Sequence, residues 1–308
     1  MIRLLSFFVG ILMIICSQSK FDDQAACSID VADTIQTAIY VKLDSLGIPE
    51  CYHARIFTPV CETERCYAIE IDFYWDLIGR FMGYDTIPGQ GLTKLDHIPF
   101  TEADYNKLDG ILANSNSPLA SFSKEELVKN TRSSELDGFT GATIREIKDA
   151  IVNGAVYSCY TLWHIANGVV VDSLQKATAQ MFNRSLVNKL VDQNNQEVYY
   201  FLIDNFSDED FRSYLPEVLI SISNGKGYYA KNAIEKLPED ILKESLVQTY
   251  FTTSFDKLDY FAQVALLKKL SKITLSEDLI TAIKKTLDDR NSYKNDLINN
   301  LLIKESDP

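Results

Sequence analysis

The chain has 308 residues, 46% of them apolar, and sets 43 acidic against 30 basic side chains for a formal charge of −13. Phosphate backbones are held through Lys and Arg surplus, so a carboxylate surplus argues against a nucleic-acid partner and supplies no attraction to anionic lipid. The length exceeds the usual domain of about 100–150 residues and predicts two structural units.

Residues 1–19 carry a single charge, Arg3, and Leu4 to Cys16 form a nearly unbroken apolar run. A membrane helix needs roughly 20 apolar residues, whereas a secretory signal needs only about 7–15 before a small or polar cleavage site. Ser17-Gln18-Ser19 fits such a site, so export to the periplasm or cell envelope is expected, and loss of Arg3 moves the formal charge from −13 to −14. The alternative is a lipid anchor at Cys16, which would be the one membrane attachment. Ile15 argues against it, because the residue before that cut is usually small.

Cys27, Cys51, Cys61, Cys66 and Cys159 lie after the cleavage point. An oxidising compartment favours disulfides. Cys61 and Cys66 bracket the polar tetrad Glu62-Thr63-Glu64-Arg65 and are the first choice for a local bridge, with one thiol left over by the odd count. No metal site is expected: there is no matching second cysteine pair, and the histidines are His53, His97 and His164.

From Ala25 to Leu46 the apolar residues Ile29, Ile35, Ala38, Ile39 and Leu46 suggest an amphipathic helix stopped by Gly47-Ile48-Pro49. Tyr67, Ile69, Ile71, Phe73 and Trp75 then alternate with Ala68, Glu70, Asp72 and Tyr74, which predicts a strand. Asp76 to Gly79 reads as a turn, and Arg80 to Thr86 as the antiparallel return, weakened at Gly83. Thr86-Ile87-Pro88-Gly89-Gln90-Gly91 must be a loop. Thr101 with Asp104 opens a helix in capping-box fashion, carrying Tyr105, Leu108, Ile111 and Leu112 until Asn114 to Pro118 ends it.

Asp137-Gly138-Phe139-Thr140-Gly141-Ala142-Thr143 is a glycine turn feeding a helical run from Ile144 to about Val152. Free backbone N–H groups and the positive dipole end suit a phosphate there. The bland reading stands beside it: Thr143 and Glu146 form a capping box, with Gly141 merely the turn before it. The aromatic and apolar segment from Asn153 to His164 reads as core or a domain junction, with Tyr160 and Trp163 as alternative stacking rings and His164 as a packed histidine. Asp96-His97 invites a general-base reading, but no nucleophile-elbow glycine pattern accompanies it.

From about Ser173 strand patterns vanish and apolar residues repeat at helical spacing. Breaks are expected at 193–196, 204–208, 224–227, 237–240, 253–257, 271–276 and 288–292. Paired helices with short turns resemble HEAT-type hairpins, although no strict consensus at a fixed period is evident, and an irregular bundle is the alternative. Such an array implies a surface for a redox partner or another protein.

Asp137, Thr140, Gly141, Ala142 and Thr143 also match the hallmark of the FMN-binding domain family, found in flavin-carrying subunits of quinone reductase-type electron-transport complexes, which this chain resembles over about 51–163. Thr86-Ile87-Pro88-Gly89-Gln90-Gly91 is similar to that family's glycine loop, in the right order after a hairpin and before a helix. The resemblance implies FMN as cofactor. In covalent members the phosphate is esterified to a Ser or Thr where this chain has Arg145. The implied binding is therefore non-covalent, with Arg145 pairing the phosphate.

The expected organisation is a signal over 1–19, an FMN-binding-like α+β domain over 20–172 and an all-α helical-hairpin, α-solenoid-like domain over 173–308. Two functions follow: an exported FMN-binding electron-transfer protein, or an exported interaction scaffold without cofactor.

Overall fold

The computed structural model describes residues 24–32, 35–58, 68–94, 97–123, 126–127 and 147–306. Strands β1 (Gln24–Ala32), β2 (Ile35–Leu43), β3 (Pro49–Thr58), β4 (Ile69–Trp75) and β5 (Phe81–Thr86) form one antiparallel sheet in sequential order. Helices follow at the carboxy-terminal side, which makes the layout α+β.

The helix expected over Ala25 to Leu46 is instead the β1–β2 hairpin, with Ile29 opposite Thr37 and Gln24 opposite Val41. Period two governs this stretch: Ile35, Thr37, Ile39, Val41 and Leu43 fall on one face, and four of these five are β-branched. The Gly47-Ile48-Pro49 stop is the turn into β3. Asp44 Oδ1 accepts from the backbone N–H groups of Leu46 and Ile48 at 2.9 and 3.0 Å, and Gly47 supplies φ +76°.

The β4–β5 hairpin follows the alternation. Ile69, Ile71, Phe73 and Trp75 are buried while Glu70, Asp72 and Tyr74 face the other side. Asp76 N donates to Arg80 O at 2.9 Å, with Gly79 at φ +80° closing the turn. Helix α1 (Glu102–Ala113) starts with the expected capping box between Thr101 and Asp104 and buries Leu108, Ile111 and Leu112.

Helices α2 (Val156–Asn167) and α3 (Val170–Gln180) close one face of the sheet. Trp75 Nε1 donates to the Ala166 carbonyl at 2.9 Å. The Tyr52 hydroxyl lies 2.7 Å from Thr178 Oγ1, which donates to the Leu77 carbonyl at 2.5 Å. Gln175 Nε2 donates to the Ile78 carbonyl at 3.0 Å. Burial pushes the Tyr52 phenol up to about 12, so it stays a neutral donor at physiological pH.

Helices α4 (Arg184–Val191), α5 (Gln196–Asn205), α6 (Asp208–Ser213) and α7 (Leu215–Asn224) continue the chain. They are followed by α8 (Tyr228–Lys236), α9 (Glu239–Leu242) and α10 (Ser245–Ser254). The last are α11 (Tyr260–Leu270), α12 (Glu277–Lys284) and α13 (Ser292–Ser306). Each expected break falls between two helices or caps one, and further breaks at Met181–Asn183 and Lys243–Glu244 carry no glycine or proline to announce them. One core runs from the sheet through α3 and α4 to Leu202 of α5 and takes in Tyr214, and a second runs from Ile203 to Leu301. Residue 173 lies inside α3, and among the described residues the last strand of the sheet already ends at Thr86.

A fixed period emerges once the helices are placed. α5, α8, α11 and α13 begin at 196, 228, 260 and 292, each start 32 residues after the one before. The seventh residue of each helix is Leu202, Ile234, Leu266 or Ile298, and all four are fully buried. α8 packs on α5, α11 on α8 and α13 on α11, while α7 lies against α5 and α8, and α10 against α12. Asn195 and Asp259 cap their helices through side-chain oxygens, and Asn291 Oδ1 accepts from Lys294 N in the same way. The last repeat puts Lys294 where the others bury Val198, Ala230 and Ala262; its ammonium donates to Gln263 Oε1 at 3.2 Å.

Changing Thr178 to Val removes the hydroxyl on which Tyr52 and Leu77 converge without opening a large cavity. It should lower stability by about 1–3 kcal/mol, the cost of stranding buried polar groups. Urea unfolding of the full chain reads this, and an unchanged midpoint would contradict the role given to the seam.

Candidate functional site

Asp137, Thr140, Gly141, Ala142, Thr143 and Arg145 lie outside the described residues, as do Cys61, Cys66 and residues 1–19. The parts of the resemblance that can be placed are the hairpin, the glycine loop and α1. The loop is a tight turn, with Gln90 N donating to the Ile87 carbonyl at 2.9 Å and Gly89 at φ +84°. Gly89 has open space around the position of a Cβ, so its requirement is conformational and owes nothing to crowding.

The aromatic segment is core. Trp163 is buried and its Nε1 donates to the Asn114 carbonyl at 2.8 Å, so its ring is not offered to a cofactor. His164 packs 4.3 Å from Tyr160 and 5.0 Å from Trp163, centroid to centroid. Its Nε2 sits 3.2 Å from the Leu119 carbonyl, and burial lowers its pKa, so the neutral ring donates there. His97 is exposed at φ +57° beside the Thr93–Pro99 bridge, in no catalytic arrangement with a described residue.

Cys159 is fully buried, and burial pushes its thiol up to about 11; its sulfur accepts from Val152 N at 3.2 Å. Such a thiol packs and does not react. Cys27 is half-buried and likewise raised by burial. No disulfide links cysteines among the described residues. No group of described His, Cys, Asp and Glu residues could hold a metal ion.

The site the fold does build is a cleft of about 1050 Å³ where the β4–β5 turn meets the helices. Its floor is polar: Asp76 and Arg80 come from the turn, Asp172 and Gln175 from α3, Glu197 and Asp204 from α5. Arg80 spans it, with Nε 2.6 Å from Asp76 Oδ2 and one terminal nitrogen 2.9 Å from Glu197 Oε2. Asp204 is held by Lys236 at 2.6 Å. Glu50 and Asp172, also on the lining, have no cationic partner among the described residues.

Aromatic rings form the outer wall. Tyr200 and Tyr229 line the cleft, and Tyr228 hydrogen-bonds Tyr200 through hydroxyls 2.8 Å apart. The rings of Tyr200 and Tyr229 meet edge to face at 6.0 Å. That hydroxyl contact and burial raise the Tyr200 pKa to about 12, so its phenol stays neutral at physiological pH. What the cleft offers chemically is carboxylate and aromatic surface around the Arg80 guanidinium. It was missed in the sequence because its residues come from β3, the β4–β5 turn, α3, α5 and α8, which are far apart in the chain. The one sequence signal that reaches it is the recurrence of aromatic residues 32 positions apart, since Tyr228 and Tyr229 are followed at that interval by Tyr260 and Phe261.

No family model, curated protein or solved structure matches this chain.

Proposed function

We propose that this chain is an exported interaction scaffold: an α+β head joined to an array of paired helices resembling HEAT-type hairpins, whose surface receives a partner. The observation that carries the reading is the 32-residue register, in which the same helix position is buried in four successive units. Units that bury their cores against their neighbours leave extended faces for binding. Export rests on residues 1–19, with Cys16 as the alternative point of attachment to a membrane. No helix among the described residues is long and apolar enough to cross one.

A photo-crosslinking residue placed in the exported full chain at Ile220, Leu246 or Phe261, all exposed on the array, should give a discrete heterotypic product. The same residue at Phe57, exposed on the sheet, should not. Products from Phe57 alone, or none from the array, would overturn the scaffold.

A second reading is favoured by the order of hairpin, tight glycine turn and capped helix ahead of Asp137 to Thr143. In it the chain holds FMN non-covalently and serves electron transfer, with Thr140, Gly141, Ala142 and Thr143 presenting backbone N–H groups to the phosphate, Asp137 shaping the loop and Arg145 pairing the charge. FMN would supply the redox chemistry. Mature protein should then be yellow and lose its flavin on denaturation, and Arg145→Ala should weaken retention far more than folding. Colourless protein that takes up no added FMN would end this reading.

A further inference from the structure

The 32-residue register also repeats what stands at the edge of the array. The first residue of α8 and of α11 is tyrosine, Tyr228 and Tyr260; the second residue of α8, α11 and α13 is Tyr229, Phe261 or Tyr293. Because α11 packs on α8 and α13 on α11, equivalent positions lie side by side along one edge. Packed helix axes sit about 8–10 Å apart, so these rings span roughly 20 Å. Tyr228 and Phe261 are each 61% exposed and Tyr293 49%. Single exposed aromatics need no explanation, but a contiguous row of them marks an interaction site. The row draws on two adjacent repeat positions, the first residue of α8 and the second of α11 and α13, all at equivalent helix starts.

The row has two chemical properties. Its ring faces accept cations, as Lys268 shows by placing its ammonium 5.8 Å from the centroid of Tyr293. At its other end Tyr228 joins Tyr200, and through Tyr200 and Tyr229 the row enters the cleft, where Glu50 and Asp172 have no cationic partner among the described residues. A second copy of this chain is a poor occupant, since each carries a formal charge of −13 and the surfaces repel. An anionic partner is disfavoured for the same reason.

We infer that the aromatic row of α8, α11 and α13 and the acidic cleft it enters are a docking track for an extended polypeptide segment bearing Lys or Arg. Its cationic and aliphatic side chains lie on Tyr228, Phe261 and Tyr293, and a cationic group reaches Glu50 and Asp172. The inference rests on the scaffold reading and names the partner's chemistry.

The test uses the full mature chain and a fluorescein-labelled peptide of alternating Lys and Val, read by anisotropy at about 0.15 M salt so that unspecific attraction is screened. The double change Phe261→Ser with Tyr293→Ser should weaken binding by about tenfold or more, as loss of central aromatic anchors does. Glu50→Gln with Asp172→Asn should weaken it and flatten its salt dependence. Phe57→Ser, an exposed change on β3, should leave it unaltered. Circular dichroism confirms that each variant is folded.

The inference is overturned if the peptide does not bind, if the aromatic double variant binds it like the parent, or if an alternating Glu-Val peptide binds as well. It is also overturned if the parent sediments as a dimer that Phe261→Ser splits, because the row would then be a self-contact. Crosslinks from the array without Lys-Val binding would remove this partner class while leaving the scaffold standing.

Discussion

The buried polar seam between the sheet and α3 is the constraint on which the rest of the structure depends. Tyr52 and Leu77 present a hydroxyl and a carbonyl at the end of the sheet, and Thr178 satisfies both from one side chain. Such groups are costly to bury alone and strongly directional when paired, so the seam fixes the register of α3 on the sheet where apolar contact by itself would tolerate sliding. Trp75 does the same for α2 through the Ala166 carbonyl. Gly79 lets the β4–β5 turn approach α3 closely: a Cβ there would stand 3.0 Å from Val171 Cγ1.

From that anchor the helical array propagates. α3 and α4 share the sheet's core, α5 is the last helix whose apolar residues join it, and Ile203, one residue after Leu202, already belongs to the second core. α5 therefore faces two ways. The cleft lies at this junction, and its carboxylates come from both sides: Asp76 from the head, Glu197 and Asp204 from the array's first repeat. Arg80 ties the two through Asp76 and Glu197. That exposed pair contributes little to stability and chiefly orients the lining.

The β4–β5 hairpin, the α1 capping box and most helix boundaries were legible because each depends on local chemistry: alternation, a Thr and Asp three apart, polar breaks. The β1–β2 hairpin was not. Ile29, Ile35, Ala38 and Ile39 satisfy helical spacing while Ile35 to Leu43 satisfy alternation, and the choice is made by pairing with β3, which sequence periodicity does not contain. The 32-residue period was hidden because the recurring residues are chemically unlike. Gly227 stands where Asn195 and Asp259 cap, and Lys294 fills a position that is Val or Ala elsewhere. Burial, not identity, is what repeats. The cleft could not be read from any one segment, and the Asp137 to Arg145 motif, the clearest chemical signal in the sequence, lies outside the described residues.

The central claim is that the seam makes the sheet and α3 to α5 one cooperative unit from which the array extends. Native-state hydrogen exchange of the full chain tests it most directly, since amides that open together report shared stability. The amides of α3 around Leu174 to Thr178 should exchange with those of β3 and β4, and α8 and α11 should form a separate set. Exchange of α3 together with α8 and α11, independent of the strands, would contradict the claim.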